Sequence, residues 1–120
     1  MALRDISGVV DFVYLSEYLQ HDVQMMDEIL SIFQHQAELW GPMLSMDQEG
    51  WRDAAHTLKG AAAGIGAKAL AAAASEAEIG DEAGAPDRLS RTLSALSAAL
   101  SDVAAFRHAL SLESLKSSEI

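Results

Sequence analysis

The chain has 120 residues, enough for one domain, and half of them are hydrophobic while only 6% are aromatic. Two prolines and eight glycines are few breakers for an all-β fold, and the absence of cysteine excludes disulfides, thiolate metal sites and a cysteine nucleophile. Eight Lys plus Arg against 18 Asp plus Glu give a formal charge of −10, which disfavours nucleic acid and anionic membrane surfaces as partners.

The N-terminus, Met1-Ala2-Leu3-Arg4-Asp5, turns acidic at once and lacks the basic-then-apolar order of a secretion signal. No stretch approaches the ~18 consecutive apolar residues of a spanning helix. The cytoplasm is therefore the expected compartment, and the lack of cysteine fits it. Asp11 precedes Phe12-Val13-Tyr14-Leu15, and Asp22 precedes Val23. A carboxylate at either place can accept from the free N–H groups of a first helical turn. A short helix is expected from about Phe12 to Leu19 and a long one from Val23. The second helix carries Met26, Leu30, Phe33, Ala37, Trp40 and Leu44 at spacings of 4, 3, 4, 3 and 4, a seam of helical period. Gly41-Pro42 interrupts it, but the seam stays in register to Leu44, so a kink rather than a stop is predicted. Of the neighbouring methionines Met25 and Met26, the simplest reading is core filling.

Asp47 is the expected cap of a third helix, with Trp51, Ala55, Leu58, Ala62 and Ile65 as its seam and Gly64 and Gly66 at its end. A fourth helix, from about Lys68 to Ile79, would turn Leu70, Ala73, Ala74 and Ala77 inward. Gly80 to Pro86 reads as a loop. A fifth helix then starts near Pro86 or Asp87, where proline suits a first turn. Its expected seam is Leu89, Leu93, Leu96, Leu100 and Val103, with Phe106 and Leu110 beyond. The serine-rich end, Ser111 to Ile120, is expected to fray. The connections are short and nothing alternates with period two. The fold expected is all-α, an up-down-up-down four-helix bundle over residues 11–110 with a short N-terminal helix closing one end, a single domain in all.

The third helix has a second face. An α-helix turns by about 100° per residue. On that wheel Arg52, Lys59, Gly60 and Ala63 all fall within about 60° of His56, while the seam clusters about 140° away from it. His56 thus points away from the core, among cations and very small residues. A glycine in mid-helix costs about 0.5–1 kcal/mol against alanine, so Gly60 implies close approach of something to the backbone beside His56. From Arg52 to Lys68 the chain holds three cations and one acid, a net +2 in a chain of −10. A positive field there suits a dianion on the imidazole. His21, His35 and His108 share none of this. No histidine pair stands at metal-ligand spacing with a carboxylate cluster, so no metal site is expected. Gly-rich phosphate cradles are also lacking, so no ATP site is expected.

His56-Thr57-Leu58-Lys59-Gly60 followed by Ala61-Ala62-Ala63-Gly64-Ile65-Gly66-Ala67 resembles the signature of histidine-containing phosphotransfer domains. Asp11, Leu15, Asp22 and Phe33 resemble that family's first two helices. Asp47, nine residues before the histidine, resembles its usual helix start, and Leu70, Ala77 and Glu78 resemble its fourth helix. The resemblance implies that His56 is the phosphoacceptor through Nε2, that Lys59 offsets phosphate charge, and that Gly60 makes room for phosphoryl group and partner. Gly66 matches the helix-ending glycine. Gly64 departs from the family, where many members carry a small polar residue such as asparagine. Arg52, Gly60, Ala63 and Gly64 would form the docking patch. The implied function is a phosphocarrier that takes a phosphoryl group from the aspartyl phosphate of a response-regulator receiver and passes it to another receiver. The implied partners are such receivers and a hybrid histidine kinase. No cofactor is implied on this chain, Mg²⁺ being expected on the receiver. The alternatives are the dimerisation and phosphoacceptor domain of a histidine kinase, built from two chains, and a helical adaptor that never carries phosphate. The chain holds enough helices to close a bundle alone, so a monomer is expected.

Overall fold

The computed structural model describes residues 9–118, with the side chains at 114 and 116–118 set aside. The expectations for residues 1–5 and for residues 119–120 fall outside the described residues. The elements are α1 (Phe12–Tyr18), α2 (Val23–Trp40), a 3₁₀ turn (Gly41–Met43), α3 (Trp51–Ile65), α4 (Lys68–Ile79) and α5 (Ala85–Ser118). Among the described residues there is no strand.

Both aspartate caps form as the sequence predicts. Asp11 Oδ1 accepts from Tyr14 N–H and Asp22 Oδ1 from Met25 N–H, each at 3.0 Å. The seams of α2 and α3 bury Met26, Leu30, Phe33, Ala37, Trp51, Ala55, Leu58, Ala62 and Ile65. Cross-helix contacts set the directions. Arg52 at the start of α3 reaches Glu78 at the end of α4, and Thr92 Oγ1 of α5 donates to the Ala73 carbonyl of α4 at 3.2 Å. Arg107 near the end of α5 holds Asp27 near the start of α2 through two donors, at 2.7 and 3.2 Å. This pair holds the Asp27 carboxyl below its ordinary range, chiefly through the Arg107 hydrogen bond, and raises Arg107. The pair is partly solvated, so its contribution to stability is under ~1 kcal/mol. Helices α2 to α5 thus run up-down-up-down, each packing on the next, with α5 returning to α2.

Helix α1 closes the end where α3 turns into α4. Asp11 N–H donates to the Gly66 carbonyl at 3.0 Å, and Phe12 stacks on Phe106 with centroids 3.9 Å apart. The buried carboxylate of Asp102 accepts from Val9 N–H and Val10 N–H at 3.1 and 3.2 Å, tying the approach to α1 onto α5. Gly66 makes this corner possible. Its φ is +81°, and a Cβ there would lie 3.0 Å from the Asp11 carbonyl oxygen and 3.1 Å from the Tyr14 ring. A left-handed residue with a Cβ costs about 1–2 kcal/mol before any clash. Gly66→Ala should therefore lower the unfolding free energy by about 2 kcal/mol, read from urea denaturation.

Several expectations give way. At Pro42 helix α2 does not kink and continue; it ends at Trp40 and the chain tightens into the 3₁₀ turn. Proline has no N–H to donate to the preceding turn and its ring crowds it. Leu44 is still buried, as the seam required. Asp47 does not cap α3. Gln48 N–H closes a turn onto the Ser45 carbonyl at 3.0 Å, which leaves Asp47 inside that turn, and Gly50 begins the helix without a side-chain cap. Met25 is exposed while Met26 is buried, and Ala73 is only half-buried.

On α5 the inward line is Ala85, Leu89, Thr92, Leu96, Ala99, Val103, Phe106 and Leu110, so Leu93 is 41% exposed and Leu100 half-buried. Thr92 is fully buried against the alanine-lined α4, its hydroxyl bonding the Ala73 carbonyl of α4 and the Arg88 carbonyl of its own helix. The end expected to fray is helical to Ser118. Nothing between Asp87 and Ser118 is glycine or proline, and Leu110 and Leu115 line a groove with Val23 of α2.

Candidate functional site

His56 lies in the second turn of α3 on the face opposite the seam, and its side chain is 66% exposed. The ring is held from one side only. Nδ1 lies 2.7 Å from Oε1 of Glu78, which projects from the last turn of α4. The second carboxylate oxygen of Glu78 lies 3.1 Å from Lys59 Nζ, one turn along α3 from His56. Glu78 is thus a bridge between the two α3 side chains that the sequence singles out. Its carboxyl is held below the ordinary range, first by the Lys59 hydrogen bond; burial opposes this next in size, and His56 adds a further lowering. An ionised carboxylate only accepts, so Nδ1 must carry the proton, and in the neutral ring the lone pair is on Nε2, the nitrogen away from Glu78.

Arg52, one turn before His56, does not stand free in the docking patch. Its guanidinium donates to the backbone carbonyl of Glu78 at 2.5 Å and lies over the Trp51 ring, 4.4 Å from the centroid. Gly60, Ala63 and Gly64 are all exposed, and a Cβ built at Gly60 or Gly64 would meet nothing within 4 Å. Neither glycine is needed for packing inside the molecule. Gly60 and Gly64 instead form one wall of a groove of about 280 Å³, faced by Ile29, Ile32 and Gln36 of α2. Ala63 lies on the other flank, beside Tyr14 and Lys68.

The structure therefore brings His56, Lys59 and Arg52 together around Glu78 and leaves Gly60, Ala63 and Gly64 as an open floor. The expectation of an acid-poor field around His56 is corrected by Glu78. A tally along residues 52–68 does not register a carboxylate that arrives from another helix. Among the described residues, no group of three His, Asp or Glu side chains is placed to hold a metal ion. His35 and His108 are exposed, and His21 Nδ1 lies 2.7 Å from Ser16 Oγ in the α1–α2 corner.

An exposed imidazole with one nitrogen tied to a carboxylate and the other open, flanked by an ammonium and a floor of small residues, is built to act as a nucleophile toward an anion brought by a partner. Residues 16–106 match the family model of the Hpt domain. The crystal structure of the histidine phosphotransferase ShpA from Caulobacter crescentus matches with a TM-score of 0.80 and 44% sequence identity, over 90% of this chain and 99% of that one. No curated protein sequence matches significantly. With most of its length inside the family model and a solved histidine phosphotransferase so similar, the chain belongs to the Hpt domain family and serves as a histidine phosphotransfer protein in a phosphorelay.

Proposed function

We propose that His56 is the phosphoacceptor and that it takes its phosphoryl group from the aspartyl phosphate of a receiver domain. The observation that carries this reading is the Nδ1–Glu78 contact, which leaves Nε2 as the exposed nucleophile. The Nε2 lone pair attacks phosphorus in line, the N–P bond forms, and the acyl P–O bond breaks to release the aspartate carboxylate. No proton needs to leave Nδ1. The ring instead acquires positive charge, which the Glu78 carboxylate stabilises, while Lys59 turns toward the phosphoryl oxygens. Positioning and charge stabilisation dominate phosphoryl transfer, and the receiver supplies its own Mg²⁺. The reverse sequence hands the group to a second receiver.

A hybrid histidine kinase would feed the first receiver, and the protein would act as a monomeric carrier in the cytoplasm. Among the described residues no helix is long and apolar enough to cross a membrane. The test is incubation with a set of labelled phospho-receivers. Label should move to this protein and be acid-labile and base-stable, as phosphohistidine is. A protein that takes label from none of the receivers overturns the reading.

Lys59→Ala should slow transfer and shift the equilibrium back toward the donor. A charge-assisted contact to a partly exposed phosphate is worth about 1–3 kcal/mol, roughly a tenfold to hundredfold effect. The fold should persist, because Lys59 lies off the seam. An unchanged rate and equilibrium would show that the lysine is only a solvated charge.

A further inference from the structure

Helix α4 ends abruptly. Gly80 is extended at φ −76° and ψ 172°, and the last turn of α4 has no basic residue of its own. The final carbonyls of a helix have no intrahelical partner and must find one elsewhere. The Glu78 carbonyl finds it on α3, in the Arg52 guanidinium. That guanidinium rests on the ring of Trp51, which is itself buried in the core, so the donor stands on a fixed platform. Glu78 is consequently gripped twice by neighbouring turns of α3, its main chain by Arg52 and its carboxylate by His56 and Lys59. Free to slide by an ångström, the last turn of α4 would carry the carboxylate out of reach of Nδ1.

We infer that Arg52 is a positioning residue for phosphoryl transfer, acting through the Glu78 backbone to hold the carboxylate on His56 Nδ1, rather than a docking contact for the receiver. This inference rests on the acceptor reading of His56. It separates from that reading because its first measurement uses the protein alone. The informative variant is Arg52→Met, which keeps a long unbranched side chain beside Trp51 and removes the donors. Arg52→Lys keeps a charged donor that can still reach the carbonyl, though without the planar fork.

The experiment has two arms. In the first, ¹⁵N NMR of the imidazole, at a pH above the ordinary histidine range, reports which His56 nitrogen is protonated. The wild type should show the Nδ1–H form, Arg52→Met a mixture of both tautomers, and Arg52→Lys a recovery toward the wild type. In the second, transfer from a phospho-receiver is measured at varied receiver concentration. Arg52→Met should lower the maximal rate by about tenfold and leave the receiver concentration at half-maximal rate unchanged, as a misplaced positioning group does. In a Glu78→Ala background Arg52→Met should cost nothing further, because both act through one contact. An unaltered tautomer in Arg52→Met overturns the inference. So does a loss confined to receiver affinity, or one that adds fully to that of Glu78→Ala, since either would mark Arg52 as a docking residue. If no phospho-receiver labels even the wild type, the acceptor reading fails while the tautomer arm still decides what Arg52 does to Glu78.

Discussion

His56→Gln should accept no phosphoryl group and fold as the wild type does. The loss is expected to be complete because an amide nitrogen has no lone pair available to attack phosphorus, and no other histidine shares the setting. His21 is engaged with Ser16 at the α1–α2 corner, and neither His35 nor His108 has the paired carboxylate and ammonium that flank His56. The fold should persist because the side chain is 66% exposed and off the seam, and glutamine retains an N–H that can donate to Glu78. Exposed substitutions of this kind usually change stability by less than about 0.5 kcal/mol. The check is to treat wild type and variant with the same labelled phospho-receiver and compare their urea unfolding. Label persisting on His21, His35 or His108 would refute the assignment.

The parts of this protein that were legible in its sequence are those set by neighbours along the chain. Asp11 and Asp22 cap helices whose first turns follow at once, and Gly66 ends α3 because the corner needs a left-handed residue. The α3 seam is read from spacing alone, and the outward aim of His56 follows by subtraction. The features that escaped depend on what lies across the bundle. Leu93 and Leu100 look more like core than Thr92 and Ala99 do. Thr92 nonetheless turns inward and bonds the Ala73 carbonyl of α4, and the inward line shifts by one residue at these two places. Asp102 reads as a surface acid on α5 until the amides of Val9 and Val10 are brought to it.

Glu78 is the most consequential of these. Its distance of 22 residues from His56 hides it from any local pattern, and the family resemblance marks it only as a fourth-helix residue. The one available signal was phase, since it follows the buried Ala77 and so stands at the edge of the α4 seam facing α3. Arg52 shows the same limit in reverse. The helical wheel places it correctly beside His56 but cannot tell that its guanidinium turns inward to donate to the Glu78 carbonyl.

Gly60→Gln should make the protein more stable and a poor phosphocarrier. The two effects have separate origins. Glycine in a helix interior costs about 0.5–1 kcal/mol relative to a good helix former. Nothing within 4 Å would resist a Cβ at Gly60, so the variant should regain that cost and melt a few degrees higher. Selection for stability alone would not leave glycine here. What glycine provides is clearance: with Ala63 and Gly64 it keeps the α3 surface low around His56. A receiver's aspartyl phosphate lies in a recessed pocket, so Nε2 reaches phosphorus only if that surface comes almost into contact with the receiver. A glutamine at Gly60, or a tryptophan at Ala63 on the other flank, would hold the two proteins apart. Displacing a nucleophile by about 1 Å can cost about a hundredfold in rate. The decisive comparison measures melting temperature and transfer rate together for Gly60→Gln and Ala63→Trp. The expected pattern is unchanged or raised melting with transfer down by about a hundredfold. Normal transfer by both variants would mean that receivers do not dock over this floor. The presence of Gly60 in mid-helix, which nothing inside the bundle requires, would then lose its explanation.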